Sequence, residues 1–186
     1  MSDITKRAMA TSLKNLLAKK PLDKVTVTDI VEDCGVNRQT FYYHFKDMGD
    51  LVEWTCIEDA DKALKDNKTY ATWQEGFLSI FNLMKLDKPF IMNIYHSISR
   101  EQLERYLYKL VYKLTRNVVD ELSSSMKVRE DDKVFTANFY KYAFVGLVFE
   151  WINRDMVDDP QIIIDRLSIL IKGSMATALE NYRYDK

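Results

Sequence analysis

Nine residues from Arg38 to Lys46, RQTFYYHFK, concentrate side chains that can bind nucleic-acid groups. An arginine guanidinium matches the paired acceptors of guanine, and a glutamine amide such as that of Gln39 matches adenine. Thr40 offers a methyl for thymine or a hydroxyl for phosphate. Tyr42, Tyr43 and His44 carry groups that suit phosphate oxygens, and Lys46 adds a point charge. No acidic residue lies between Asp33 and Asp47, so this stretch is locally basic. The whole chain of 186 residues has a net charge of -1, from 27 basic and 28 acidic residues. A general polyelectrolyte binder would be basic throughout, so any such contact is confined here.

These side chains act together only if a short helix displays them on one face, and the flanking residues specify that helix. Thr26 precedes Asp29 at the spacing of a capping box, opening a helix with Ile30 and Val31 on its apolar side. Gly35 suits the left-handed residue that ends a helix. Val36 turns inward and Asn37 caps the next helix. Phe41 and Phe45, four apart, share its buried face. Arg38, Gln39, Tyr43 and Lys46 then point outward, with Thr40 and Tyr42 on the flanks. Tyr42 has a second reading, as a ring packed on the first helix. The pattern is that of a helix-turn-helix. Arg38 and Gln39 read bases in this arrangement, while Thr26, Tyr43 and Lys46 set register on phosphates.

The rest of the chain supports an all-α fold of about nine helices. Gly 5 and Pro 3 are too few for a many-turned β fold. Apolar residues recur near the 3.6 period in Ile4–Lys20 and at spacings that suit one helix face in Thr72–Leu86, and no period-two strand is found. The expected helices are Ile4–Lys20, two short ones through Phe45, Asp47 to about Asp66, Thr72–Leu86, Pro89–Tyr95, Ser99–Leu122, Asp132–Arg154 and Gln161–Tyr182. A break is expected at Asp66-Asn67-Lys68. The expected domains are a three-helix unit at 1–46 and a larger helical body at 47–186.

Catalytic chemistry has little support. His44 and His96, the two histidines, lie far apart in sequence. No hydrolase, phosphate-loop, dinucleotide or zinc-ligand pattern occurs. No catalytic residue, metal or cofactor is therefore expected. Cys34 and Cys56 cannot form a disulfide framework, which fits a reducing cytoplasm. No apolar run is long enough to span a membrane.

Trp73, Phe77, Phe81, Tyr95 and His96 could line an effector pocket between helices. The alternative is plain core, with His96 a hydrogen-bonded core histidine. Ala143, Gly146 and Gly173, with Trp151 and Leu170 beside them, suit a close helix seam between two copies. Packing within one chain explains the small residues nearly as well.

The stretch Val25–Phe45, ending in Phe41-Tyr42-Tyr43-His44-Phe45 and followed by Asp50-Leu51, resembles the TetR family of transcriptional regulators over roughly residues 5–55. The resemblance implies DNA contacts from Arg38, Gln39, Thr40, Tyr42, Tyr43 and His44, with Thr26 and Thr28 on the first helix of the motif. Phe144–Leu147, Glu150-Trp151-Ile152 and the final helices look like a C-terminal domain of this family, in which the last two helices form a four-helix dimer interface. The implied protein is a homodimeric repressor on a pseudo-palindromic operator, released by an unknown small-molecule effector. Arg38–Tyr42 with Tyr70, Trp73 and Gln74 also resembles a branch containing activators of dihydroxyacetone kinase operons, signalled by a protein co-regulator. A helical protein adapter that binds no DNA is a third expectation.

Overall fold

The computed structural model describes residues 2–64 and 67–185. Among them are ten α-helices, one 3-10 turn and no strand. The helices are α1 (Ser2–Leu17), α2 (Val27–Cys34), α3 (Arg38–His44), α4 (Met48–Leu64), α5 (Trp73–Leu86), α6 (Lys88–Ser97), α7 (Arg100–Leu122), α8 (Glu130–Asn153), α9 (Pro160–Ile171) and α10 (Ser174–Tyr182). The all-α expectation stands. The expected last helix is two helices, because Gly173 takes a left-handed φ of 74° between α9 and α10. Residues 65 and 66, the expected end of the fourth helix and the first residue of the expected break, lie outside the described residues.

The chain forms two compact units, residues 1–61 with 86–103, and residues 62–85 with 104–186. This division differs from the expected one at residue 46, because α6 joins the N-terminal helices and most of α4 stays with them.

In the first unit the local signals act as the side chains require. Thr26 caps α2 with its side chain accepting the Asp29 N–H, while Asp29 accepts the Thr26 N–H at 2.7 Å. Gly35 ends α2 at a φ of 64°, in the left-handed region open to glycine. The Asn37 side chain accepts the Thr40 N–H at 2.8 Å and starts α3. Asp47 accepts the Asp50 N–H at 2.9 Å at the start of α4. Met9, Leu13, Ile30, Phe41, Leu51 and Val52 are fully buried and form the core under α3.

In the second unit α8 has its inner face buried through Tyr140, Phe144, Val148 and Trp151. Phe77 of α5 stacks on Phe144 with ring centroids 4.2 Å apart. Gly76 sits against the segment after α4: a Cβ there would lie 2.3 Å from the Asn67 carbonyl oxygen.

Candidate nucleic-acid interface

The recognition face is built from α3 and its caps. Phe41 anchors the helix, fully buried, and Phe45 closes it. Phe45 also meets Trp54 of α4 with ring centroids 5.9 Å apart. The Lys6 ammonium of α1 stands 5.8 Å from the Phe45 ring and 5.7 Å from the Trp54 ring. Two helices, α1 and α4, therefore fix the base of a helix of only seven residues.

The opposite face is open. Arg38, Gln39, Tyr42, Tyr43 and Lys46 are exposed, Tyr43 at 81%. Tyr42 is exposed at 56% while its ring edge meets Phe41, so its hydroxyl end is free of the core. His44 is half-buried with its ring edge to Tyr43. Among the described residues, Arg38, Gln39 and the Lys46 ammonium have no hydrogen-bond or ion-pair partner. Unpaired cations on a rigid helix face water at little cost and pay little to exchange it for phosphate or base edges.

The two cap threonines are partly committed. The Thr26 hydroxyl donates to Asp29 at 2.8 Å, and the Thr40 hydroxyl donates to Asn37 at 3.0 Å. Thr40 therefore presents its methyl more freely than its proton. Thr28 is half-buried on α2. The Thr26 backbone N–H, then the Lys20 ammonium and the Thr26 hydroxyl, hold the Asp29 carboxyl down to about 2.

The expected effector residues are divided between the two compact units. Trp73 and Phe77 line an apolar cavity with Leu64, Tyr70, Phe144 and Met175. Its volume is about 20 Å³, room for about one water and not for an organic ligand. Phe81 is elsewhere, buried against Trp151 with centroids 4.8 Å apart. Tyr95 and His96 lie on α6 in the other compact unit, and His96 is exposed rather than a core histidine. Both cysteine thiols are raised by burial, Cys56 to about 12, so neither supplies a thiolate at neutral pH.

Of the expected seam residues, Ala143, Gly146 and Leu170 are exposed. Trp151 is not on the surface: it is 1% exposed and donates its Nε1–H to the Asp158 carbonyl at 3.0 Å. Gly173 takes a left-handed φ at the turn between α9 and α10. Sequence reasoning missed Phe135, Phe139 and Tyr142, which with Leu147 are exposed on the face of α8 that carries Ala143 and Gly146. It also missed Ile162 and Ile169, exposed on α9 beside Leu170. The available signal was that α8 is apolar on both sides, as a helix covered on both sides must be.

A capped two-helix turn carrying an open row of Arg, Gln, Tyr and Lys defines the helix-turn-helix class. Comparison with known proteins makes the class specific. The profile of bacterial regulatory proteins of the tetR family matches residues 12–54. The TetR profile described as a transcriptional regulator C-terminal region matches residues 71–173. The chain belongs to the TetR family of DNA-binding transcriptional regulators, and so is a regulator and not an enzyme.

One relative is the HTH-type dhaKLM operon transcriptional activator DhaS of Lactococcus lactis subsp. lactis (strain IL1403), 28% identical over 94 residues. That match spans 50% of this chain and 50% of the relative. The uncharacterized HTH-type transcriptional regulator YerO of Bacillus subtilis (strain 168) is 26% identical over 96% of this chain and 68% of its own length. Among solved structures, the dihydroxyacetone kinase operon activator DhaS superposes with a TM-score of 0.69 at 19% identity, covering 97% of this chain and 99% of that one. NalD of Pseudomonas aeruginosa, titled a secondary repressor of the MexAB-OprM multidrug efflux pump, gives a TM-score of 0.53 at 14% identity with both chains covered in full. Among the described residues no helix is long and apolar enough to cross a membrane.

Proposed function

We propose that this chain is a homodimeric, cytoplasmic repressor that binds a pseudo-palindromic operator through two copies of the α3 face. The observation that carries the reading is the exposed set Arg38, Gln39, Tyr43 and Lys46 on a helix anchored by Phe41. Arg38 and Gln39 read base edges, and Thr40 offers its methyl to thymine. Thr26, Thr28, Tyr42, Tyr43, His44 and Lys46 contact phosphates and sugars and set the register. Two such helices read half-sites about 34–36 Å apart, one helical turn.

The dimer forms through the outer faces of α8 and α9. Leu147, Glu150, Arg154, Ile162, Ile163 and Leu170 border a groove there of about 410 Å³. Apolar side chains in a surface groove rimmed by charge are the usual composition of a subunit contact.

A second reading, an activator signalled by a protein co-regulator, has specific support. The relative DhaS is named as an operon activator.

Fluorescence anisotropy on duplexes from upstream of the chain's own gene, at two salt concentrations, tests DNA binding. Specific binding is expected at about 10³-fold or more above a shuffled duplex. Equal, weak binding to both duplexes counts against the operator reading. A promoter–reporter fusion then separates the two signs of control. Deleting the gene raises expression under a repressor and lowers it under an activator.

A further inference from the structure

Asn93 lies in the middle of α6 and has a role that follows from how α1 ends. A carbonyl near a helix C-terminus needs a partner from outside the helix. For Leu17 the residue four positions on is Pro21, which has no N–H. Asn93 supplies what the proline cannot. Its Nδ2 donates to the Leu17 carbonyl at 2.8 Å and to the Lys20 carbonyl at 3.0 Å. Its Oδ1 accepts the Leu22 N–H at 3.0 Å. One half-buried amide thus satisfies three backbone groups of the connector between α1 and α2.

The same edge of α6 carries two more ties. Asp87 pairs with Lys14 of α1 at 2.6 Å, and the Lys14 ammonium stands 5.1 Å from the Phe90 ring. Lys14 also pairs with Asp59 of α4 at 2.5 Å. Asp87, Phe90 and Asn93 are spaced by three, one side of a helix. The chain leaves this compact unit after residue 61, returns at 86 and leaves again after 103. Along the chain, the segment 86–103 that carries α6 is flanked on both sides by segments of the other unit, while the middle of α6 is fastened to the connector that leads into the helix-turn-helix.

We infer that Asn93 is a positioning residue for DNA recognition: it pins the α1–α2 connector to α6 and thereby sets the half-site spacing that the dimer accepts. It touches neither base nor phosphate in this role. The inference rests on the operator reading above.

Parallel selections from a random-sequence duplex pool test it with wild type, Asn93→Ala and Asn93→Asp. The Asp variant keeps the side-chain volume and the acceptor for Leu22 but cannot donate to the two carbonyls as a carboxylate. Wild type is expected to select two half-sites at one spacing. Both variants are expected to select the same half-site letters at several spacings, with unchanged affinity for a duplex carrying one half-site. A merely structural role would weaken that single-site affinity as well, and this result overturns the inference. Variants that keep the single wild-type spacing also overturn it.

If wild type selects no paired half-sites, the operator reading fails, and amide exchange of the free protein decides the pin alone. Leu22 exchange is expected to rise about ten-fold or more in Asn93→Ala with α3 amides unchanged. Unchanged Leu22 exchange removes the pin.

Discussion

At Arg38 and Lys46 two kinds of contact separate by what their loss does. Both side chains are exposed and without partners among the described residues, so neither substitution disturbs the fold. Arg38→Ala is expected to remove about 1–3 kcal/mol of discrimination at one operator position and leave the others intact. Lys46→Ala is expected to weaken all duplexes alike and reduce the slope of log affinity against log salt by about one. Anisotropy on a set of base-substituted duplexes at several salt concentrations reads both. If Arg38→Ala leaves base preference unchanged, α3 does not present its bases-reading side as assigned.

Lys141 poses a different residue-level question. It is 8% exposed on α8, donates to Asn138 at 2.7 Å and stands 4.2–5.6 Å from the rings of Tyr142, Tyr108 and Tyr112. Ring quadrupoles attract the cation, each by up to about 2 kcal/mol when desolvated, but burial of the charge opposes them. Lys141→Met keeps the apolar stem and removes the desolvation cost, so its unfolding free energy from urea titration is expected to stay within about 1 kcal/mol of wild type. Lys141→Glu puts a carboxylate against three ring faces and is expected to cost about 3 kcal/mol or more. Equal stability of the two variants would show that the ammonium is not held by the rings.

At the scale of the element, the cap of α2 can be tested through pH. Thr26→Ala removes one orphan-satisfying oxygen and is expected to cost about 1 kcal/mol. Asp29 is ionised in the folded state down to about 2 instead of the ordinary 3.8. A depressed carboxylate contributes stability that is full above its unfolded value and fades as pH falls through the folded one. The Thr26→Ala deficit is therefore expected to be constant from neutral pH to about pH 4 and to shrink between about 4 and 2. Thermal melts across that range check it, and a deficit that does not change with pH would separate Thr26 from Asp29.

The helix-turn-helix was legible because its signals are local. Thr26, Asp29, Gly35, Asn37 and Phe41 each act within four residues, and each does in space what its spacing implies. The pocket and seam residues depend on which distant element covers which side. Phe81 of α5 and Trp151 of α8, seventy positions apart in sequence, form one buried pair. His96 looked like a polar group within a core but lies on the outer side of α6. Gly173 was read for its small volume and is used for its φ. Asn93 could not have been picked out, since its three partners lie more than 70 positions away.

For the molecule as a whole, the decisive feature is that α8 is apolar on two sides and only one is covered within the chain. Phe135, Phe139, Ala143 and Gly146 follow one another at three- and four-residue steps along the uncovered side, with Leu147 beside Gly146. Gly146 has open space beyond it, with nothing within 4 Å of an added Cβ. Leu170 on α9 is 74% exposed. A substitution at such positions costs the isolated chain at most about 0.5 kcal/mol, since it alters surface already in water. Inside a subunit contact the same change leaves an unpaired charge without water, at about 2–5 kcal/mol. Gly146→Glu with Leu170→Glu is therefore expected to give a folded monomer by sedimentation and circular dichroism. Operator affinity is then expected to fall by about 10²- to 10⁴-fold, because the second half-site is no longer engaged as a tethered one. Affinity for a duplex with one half-site should not change, since α3 is untouched. A double variant that still sediments as a dimer would remove α8 and α9 from the contact and leave the apolar row to be covered by something other than a second copy.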